Sequence, residues 1–376
     1  MAIQFIHTAD WQLGMQFAGI GGDAGAALRD QRMATVRKIG ELATQRGVDA
    51  ILVAGDVFDD NTVADATLIQ TLDALKTFAG DWVFIPGNHD AARAASAWTR
   101  LAERNPPENA HFLTKLEAPL SLLDGAAVAL PAVLQRRHEA DDLTAWFDDA
   151  ETPEGAIRIG LAHGSVVEYL PNPSEASNPI AAGRAESARL DYLALGDWHG
   201  TLQIDKRTWY SGTPETDRFT SSDPGNVLLV SIDGPGRTPR VEPLKVGTFT
   251  WRSIAQEVRD STDIEALDEQ ISSLAPDPST CLLSLTVSGT LDLAVRTELH
   301  ALLERWGALL RFLRVDEGAL LATPSDDDLD RIDRTGFVRV AVERLRERAS
   351  DTGDPDRAIA EAALIRLYEE HVKLER

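Results

Sequence analysis

Five short polar motifs, each directly following a run of apolar residues, constrain this chain more than any other feature of its sequence. They are His7-Thr-Ala-Asp10-Trp-Gln12, Gly55-Asp56-Val-Phe-Asp59, Gly87-Asn88-His89-Asp90, Ala162-His163-Gly164 and Gly196-Asp197-Trp-His199-Gly200. Average residue usage would produce Gly-Asn-His-Asp by chance about once in a thousand chains of this size, and here it has four companions. The preceding apolar runs read as strands over Ile3–Ile6, Ala50–Ala54, Trp82–Ile85, Ile157–Ala162 and Tyr192–Leu195, with another over Ala127–Leu130. Between them lie amphipathic stretches, among them Arg32–Arg46, with Met33, Val36, Ile39 and Leu42 at helical spacing, and Leu68–Phe78. Alternation of this kind is α/β, and open α/β sheets gather ligand groups outside their strand C-terminal ends. A chain that ends five strands in Asp, Asn and His is therefore expected to bring those side chains into one cleft.

The rest of the chain bounds the answer more loosely. Its 376 residues suffice for two or three domains, and 43% hydrophobic with 26% charged residues is a globular composition. The last histidine-and-aspartate motif is followed by a hairpin pattern (Asn226–Asp233, then Arg240–Leu244), which places a domain boundary near 245. Residues 246–325 read strand (Thr248–Ile254), helix (Ile264–Leu274), strand (Cys281–Val287), helix (Leu293–Trp306), strand (Leu309–Val315), a small α/β domain. Residues 326–376 carry two helical patterns, Gly336–Arg348 and Asp356–Lys373. The lone Cys281 has no partner for a disulfide, which fits a reducing, cytoplasmic setting. No stretch holds eighteen apolar residues and the N-terminus lacks a signal-peptide pattern, so no membrane association is expected. A formal charge of −23 repels polyanions at long range. If the substrate is nucleic acid, bound cations, a local basic patch or a basic partner must help hold it.

The residue types in the motifs point to a pair of metal ions. Two divalent cations roughly 3.5–4 Å apart need a bridging carboxylate with neutral or anionic ligands around it, and Asp56 is the natural bridge. A mixture of carboxylate, amide oxygen and imidazole suits Mn2+ or Fe2+ better than an all-oxygen Mg2+ cage or a thiolate-rich zinc site. His7 lies inside a strand pattern and reads as a hydrogen-bonded structural histidine. Trp11 and Trp198 neighbour these motif residues; a base could stack on either, and Trp198 is carried as a substrate-binding candidate, with aromatic packing beneath the site as the favoured role for both. The stretch Gly19–Gly25 reads as a flexible lip with Arg29 and Arg32 as phosphate-contact candidates.

With these motifs the sequence resembles the calcineurin-like metallophosphoesterase family, and within it the SbcD-type nuclease subunits of DNA double-strand-break repair and recombination. Trp209-Tyr-Ser-Gly-Thr-Pro-Glu215 extends the resemblance to about residue 240. It implies a four-layer αββα sandwich with a smaller C-terminal α/β capping domain and terminal helices. It assigns Asp10, Asp56 and His199 to one metal and Asp56, Asn88 and His163 to the other. Two family ligands are changed: Gln12 and Asp197 stand where histidines are usual. Their oxygens still suit hard cations, so two ions are expected, Mn2+ first, with Mg2+ or Fe2+ as substitutes. His89 is implied as the proton donor to the leaving oxygen, with Asp90 or Asp59 orienting its ring. The expected activity is metal-dependent DNA exonuclease and endonuclease cleavage, in partnership with an SbcC-like SMC-family ATPase bound by the terminal helices, and with homodimerisation as a further expectation. Two alternatives remain open on the same residues: a small-molecule or cyclic-nucleotide phosphodiesterase, and a catalytically weak DNA-end-binding scaffold suggested by Gln12 and Asp197.

Overall fold

A computed structural model describes residues 2–166, 178–219, 222–322, 324, 328–329, 332 and 336–375. The chain divides into two compact units, Met1–Thr250 and Trp251–Arg376. The first unit runs β1 (Ile3–Thr8), α1 (Gly22–Arg46), β2 (Ala50–Ala54), α2 (Asp65–Leu75), β3 (Asp81–Ile85), α3 (Ala97–Ala102), β4 (Ala110–Phe112), β5 (Leu120–Leu122), β6 (Ala127–Pro131), β7 (Ile157–His163), α4 (Arg184–Ser187), β8 (Tyr192–Gly196), β9 (Leu202–Gln203), β10 (Thr208–Tyr210), β11 (Asn226–Ile232) and β12 (Arg240–Lys245). The strands form two six-stranded sheets, ordered β12-β11-β1-β2-β3-β4 and β5-β6-β7-β8-β10-β9. Within them β1 to β4 are mutually parallel, as are β6, β7, β8 and β10.

Both faces of the central strands are covered, so these strands read as continuous apolar runs rather than alternating ones. Ile51 and Val53 of β2 point outward and pack with Trp82 and Phe84 under Met33, Val36 and Ile39 of α1 and Leu68, Leu72 and Leu75 of α2. Their neighbour Leu52 points the other way, with Phe5, Val83 and Ile85, into the space between the sheets, where Ala129, Ile159, Leu161 and Tyr192 meet them. The outer face of the second sheet is covered by Phe147, Val166, Ile180 and Leu190, with the short α4 and the 3-10 turn Ala145–Asp148 as a thin fourth layer. The αββα order expected from the sequence is present.

One local expectation fails. The stretch Gly19–Gly25 is not a flexible lip throughout, because α1 starts at Gly22, well before Arg32. The helix formers Ala24, Ala26, Ala27 and Leu28 offset the helix cost of glycine, about 1 kcal/mol each, and a side chain at Gly25 would strike the Ile20 carbonyl.

His7 lies buried between the sheets, its Nδ1 3.0 Å from the Tyr192 hydroxyl. Burial outweighs a main-chain hydrogen bond and pushes its pKa down to about 3. An unfolded chain binds a proton here below about pH 6.5; the folded one does not until about pH 3, so stability falls as pH drops through that window. Urea unfolding of a His7→Gln variant, compared with the parent between pH 7 and pH 4, is expected to show a shallower acid-side loss. Parallel curves would contradict the assignment.

The second unit runs β13 (Thr250–Glu257), α5 (Ser261–Ser272), β14 (Cys281–Leu291), α6 (Leu293–Leu309) and β15 (Phe312–Ala322), a three-stranded sheet ordered β13-β14-β15. Its core joins Ile264, Leu267 and Ile271 of α5 and Leu299, Leu302 and Trp306 of α6 to Cys281, Leu283 and Leu285 of β14. Asp260 and Asp292 cap the two helices by accepting hydrogen bonds from first-turn N–H groups. Because α6 runs to Leu309, the last strand starts later than the apolar run at Leu309 suggests. The division expected at 325/326 lies outside the described residues. Two helices follow, α7 (Phe337–Ser350) and α8 (Arg357–Glu375), packed through Val342, Leu345, Leu364 and Leu367. No helix among the described residues is long and apolar enough to cross a membrane.

Candidate metal centre

The ends of β1, β2, β3, β7 and β8 converge, and main-chain hydrogen bonds lace their loops together. Asp10 N donates to Gly55 O (3.1 Å), Gln12 N to Asp56 O (3.0 Å) and Gly164 N to Gly196 O (3.2 Å). Left-handed backbone redirects the side chains off the strand direction: φ is 55° at Asp10, 49° at Gln12, 51° at Asp56 and 100° at Asp197. Non-glycine residues hold such angles only where surroundings over-determine them, and they concentrate at functional sites. Glycine is required beside them. A Cβ at Gly87 would strike the Asp56 carboxylate, and one at Gly55, with φ +90°, would strike the His163 ring.

The structure brings all seven sequence-predicted metal residues together. One oxygen each of Asp10 and Asp56 and one nitrogen of His163 lie within 4.8 Å of one another, and all three side chains are buried. His163 Nε2 is 3.5 Å from Asp56 Oδ1 and 3.8 Å from Asp197 Oδ1. His199 Nε2 is 3.9 Å from Asp10 Oδ1. Asn88 Nδ2 donates to Asp197 Oδ1 (3.4 Å) and Gln12 Nε2 to Asp56 Oδ2 (2.7 Å). Asp197 is itself steadied by the Ser165 hydroxyl at 2.9 Å, while its N–H donates to Asp10 Oδ1 at 3.1 Å.

These residues fit divalent cations. Gln12 Oε1, Asn88 Oδ1 and His163 Nε2 are buried with no hydrogen-bond partner, an arrangement that costs about 1–3 kcal/mol per atom unless something fills it. All three carry lone pairs suited to a cation. His163 Nδ1 sits 2.9 Å from Ala54 O, so the hydrogen belongs on Nδ1 and the lone pair on Nε2. Electrostatics agree. Burial pushes Asp10 up to about 6, opposed by His199 and His163 and reinforced by Asp56 and Asp197. Burial lowers His163, yet Asp56, Asp10 and Asp197 outweigh it and bring the ring up to about 9. A cleft that strains the Asp10 carboxylate toward protonation and the His163 imidazole toward a positive charge is short of cations.

The residues expected to do chemistry separate. His89 is half-buried beside the cluster, its N–H donating to Asp56 Oδ1 at 2.9 Å. Its Nδ1 lies 2.8 Å from the main-chain carbonyl of Asp59, so neither expected carboxylate orients the ring. Asp90 is fully buried and accepts from Gly87 N (2.6 Å) and Phe58 N (3.1 Å), clamping the second and third motif loops together. Burial, with Asp56 next, pushes its pKa up to about 7. The Asp90 carboxylate therefore meets main-chain N–H groups and not the His89 ring, and Asp59 meets that ring through its carbonyl. Arg32 is also corrected as a phosphate contact: it is 3% exposed, and its guanidinium donates to Trp11 O (2.6 Å) and Glu215 O (3.2 Å). Arg29 lies exposed on α1, bonded to Gln16 O. Trp198 packs against the outer core of the second sheet.

Sequence reasoning missed Asp217. Its Oδ2 lies 2.7 Å from His199 Nδ1, fixing the hydrogen there and turning Nε2 toward Asp10. Despite burial, His199 and the Arg218 guanidinium hold its carboxyl well below the usual carboxylate range. Only the fold reveals it: β10 lies parallel beside β8, so the Gly212–Asp217 turn after β10 neighbours the loop carrying His199, and Thr213 N donates to His199 O.

The chain is similar to known proteins. Residues 3–200 match the family model described as calcineurin-like phosphoesterase. The uncharacterized metallophosphoesterase YhaO of Bacillus subtilis is 23% identical over 308 residues, covering 77% of this chain and 72% of that protein. The SbcD subunit of the nuclease SbcCD from Staphylococcus saprophyticus is 27% identical over 279 residues, covering 65% and 69%. The DNA double-strand break repair protein Mre11 of Haloferax volcanii is 24% identical over 361 residues, covering 93% and 74%. With the family match spanning more than half its length and the strand-end residues meeting in one cleft, this chain belongs to the calcineurin-like phosphoesterase family and is a hydrolase of phosphoester bonds.

Proposed function

We propose that the chain is a metal-dependent DNA nuclease, the nuclease subunit of a cytoplasmic complex with an SMC-like ATPase. The observation that carries this reading is the extent of the likeness to the Haloferax volcanii repair protein. It takes in 93% of the chain, so it continues through the unit beyond Thr250, which a metal centre alone does not require. The names of two relatives, one a nuclease component and the other a double-strand break repair protein, point the same way.

In this reading Asp10 and His199 would hold one cation and Asn88, His163 and Asp197 the other, with Asp56 available to both and Gln12 beside it. We assign Mn2+, because carboxylate and amide oxygens outnumber imidazoles in the set. Bound divalent cations supply charge against the phosphoryl oxygens and make water acidic enough to attack at neutral pH. The chain's residues do the rest. The strand ends fix the ligand geometry, Asp217 sets the His199 tautomer, and Asp90 locks two motif loops in register. His89 acts as general acid: Asp59 O holds its Nδ1 hydrogen, so the proton that moves to the leaving oxygen departs from Nε2.

The test is Mn2+-dependent digestion of linear duplex DNA, with and without an SMC-like ATPase, run beside the probe bis-p-nitrophenyl phosphate. Cleavage of both is expected, with the ATPase increasing DNA cleavage. Turnover of the probe with intact DNA under every condition would replace this reading with a small-molecule phosphodiesterase.

A further inference from the structure

An acidic chain that cuts a phosphodiester must offer local positive charge to the anion, and the two arginines the sequence suggested do not: Arg32 is buried and Arg29 sits on α1, bonded to Gln16 O. The structure presents a different one. Arg218 follows Asp217 in the turn after β10, and its side chain is 58% exposed while that of Asp217 is 1% and that of His199 15% exposed. Its Nε donates to Asp217 Oδ1 at 3.1 Å and its Nη2 to Asp217 Oδ2 at 3.0 Å, a two-pronged pairing that fixes the plane of the guanidinium. Nη2 is also 3.0 Å from His199 Nδ1. That nitrogen gives its hydrogen to Asp217, so the ring and the guanidinium share one carboxylate and do not bond each other. Nη1 makes no hydrogen bond among the described residues, since the pairing uses Nε and Nη2. The guanidinium thus stands beside the ring whose other nitrogen, Nε2, is 3.9 Å from Asp10 Oδ1.

We propose that Arg218 is a substrate-binding residue that donates from Nη1 to a non-bridging oxygen of the phosphate at the metal centre, with Asp217 as a positioning residue that aligns Arg218 and His199 at once. Arginine suits the task because its fork can pair with the carboxylate on one edge and leave donors on the other, which an ammonium cannot reproduce. The inference rests on the phosphoester chemistry of the centre and not on DNA as the substrate, so it holds whether or not DNA is cut.

The experiment uses the full chain and two probes, Mn2+ alone and inorganic phosphate, each followed by titration calorimetry, together with bis-p-nitrophenyl phosphate kinetics. Arg218→Gln is expected to leave Mn2+ affinity unchanged and to weaken phosphate binding to the Mn2+-loaded protein by about 10- to 100-fold, the worth of a hydrogen bond to a charged group. KM for the probe rises by more than kcat falls, and Arg218→Lys restores part of the phosphate affinity. Asp217→Asn is expected to weaken both phosphate and Mn2+ binding, the latter about 10- to 100-fold. Unchanged phosphate affinity in Arg218→Gln overturns the proposal, as does a parallel loss of Mn2+ affinity in that variant. If the wild type hydrolyses neither probe nor DNA, the nuclease reading fails while phosphate calorimetry still decides the role of Arg218.

Discussion

Removing the charge of Asp56 is expected to abolish cation binding and hydrolysis together. Its carboxylate is the meeting point of the cleft: Gln12 Nε2 donates to one oxygen at 2.7 Å, His89 N to the other at 2.9 Å, and His163 Nε2 stands 3.5 Å away. Several kcal/mol of transition-state charge stabilisation depend on cations staying there; at 1.36 kcal/mol per tenfold, about 5–6 kcal/mol corresponds to a loss in kcat/KM on the order of 10⁴-fold. The substitution matters. Asp56 has φ 51°, which asparagine tolerates and alanine adopts at a cost of roughly 1–2 kcal/mol, so Asp56→Asn separates the charge effect from backbone strain. Thermal unfolding supplies the second readout. Mn2+ at a hundred times its dissociation constant should stabilise the parent by about 2.7 kcal/mol and leave Asp56→Asn nearly unmoved. Wild-type turnover or an undiminished Mn2+ shift in Asp56→Asn would remove Asp56 from the centre.

The second large effect is expected at His89, with the opposite signature. His89→Ala should keep Mn2+ affinity, because the side chain bonds a main-chain carbonyl and only its N–H touches Asp56. Turnover on DNA should fall by about 10²–10⁴-fold, the range of a lost general acid. The loss should depend on the leaving group. A sugar alkoxide needs a proton as the bond breaks, whereas p-nitrophenolate leaves readily without one, so the variant should retain far more activity on bis-p-nitrophenyl phosphate than on DNA. Equal losses on both substrates would mean that His89 acts by binding or by shaping the cleft, and lost Mn2+ affinity would make it a ligand.

The contrast between His89 and its expected partners shows where sequence reading runs out. Asp59 and Asp90 were the carboxylates nearest in the motifs, yet the acceptor is the Asp59 carbonyl, and the Asp90 carboxylate turns inward onto Gly87 N and Phe58 N. Motifs list side chains, but every residue also carries a main-chain acceptor, and which one a ring reaches depends on the turn. Arg32 failed for a related reason: helical spacing gives the face a residue occupies but not whether the next layer covers it, and here Trp11 O and Glu215 O do. The short edge strands Ala110–Phe112 and Leu120–Leu122 escaped notice because three residues carry too little periodicity to read.

What the sequence determined by itself is the α/β alternation and the identity of the strand-end side chains that meet in the cleft. Apolar run length and a period of 3.6 or 2 are local properties, written wherever a strand or helix buries a face. Tertiary structure alone decided how those side chains pair: His163 with Ala54 O, His199 with Asp217 across eighteen positions, and Gln12 with Asp56 across forty-four. Pairings of that kind depend on left-handed φ angles and on which strands lie side by side, and both are settled only when two sheets pack face to face.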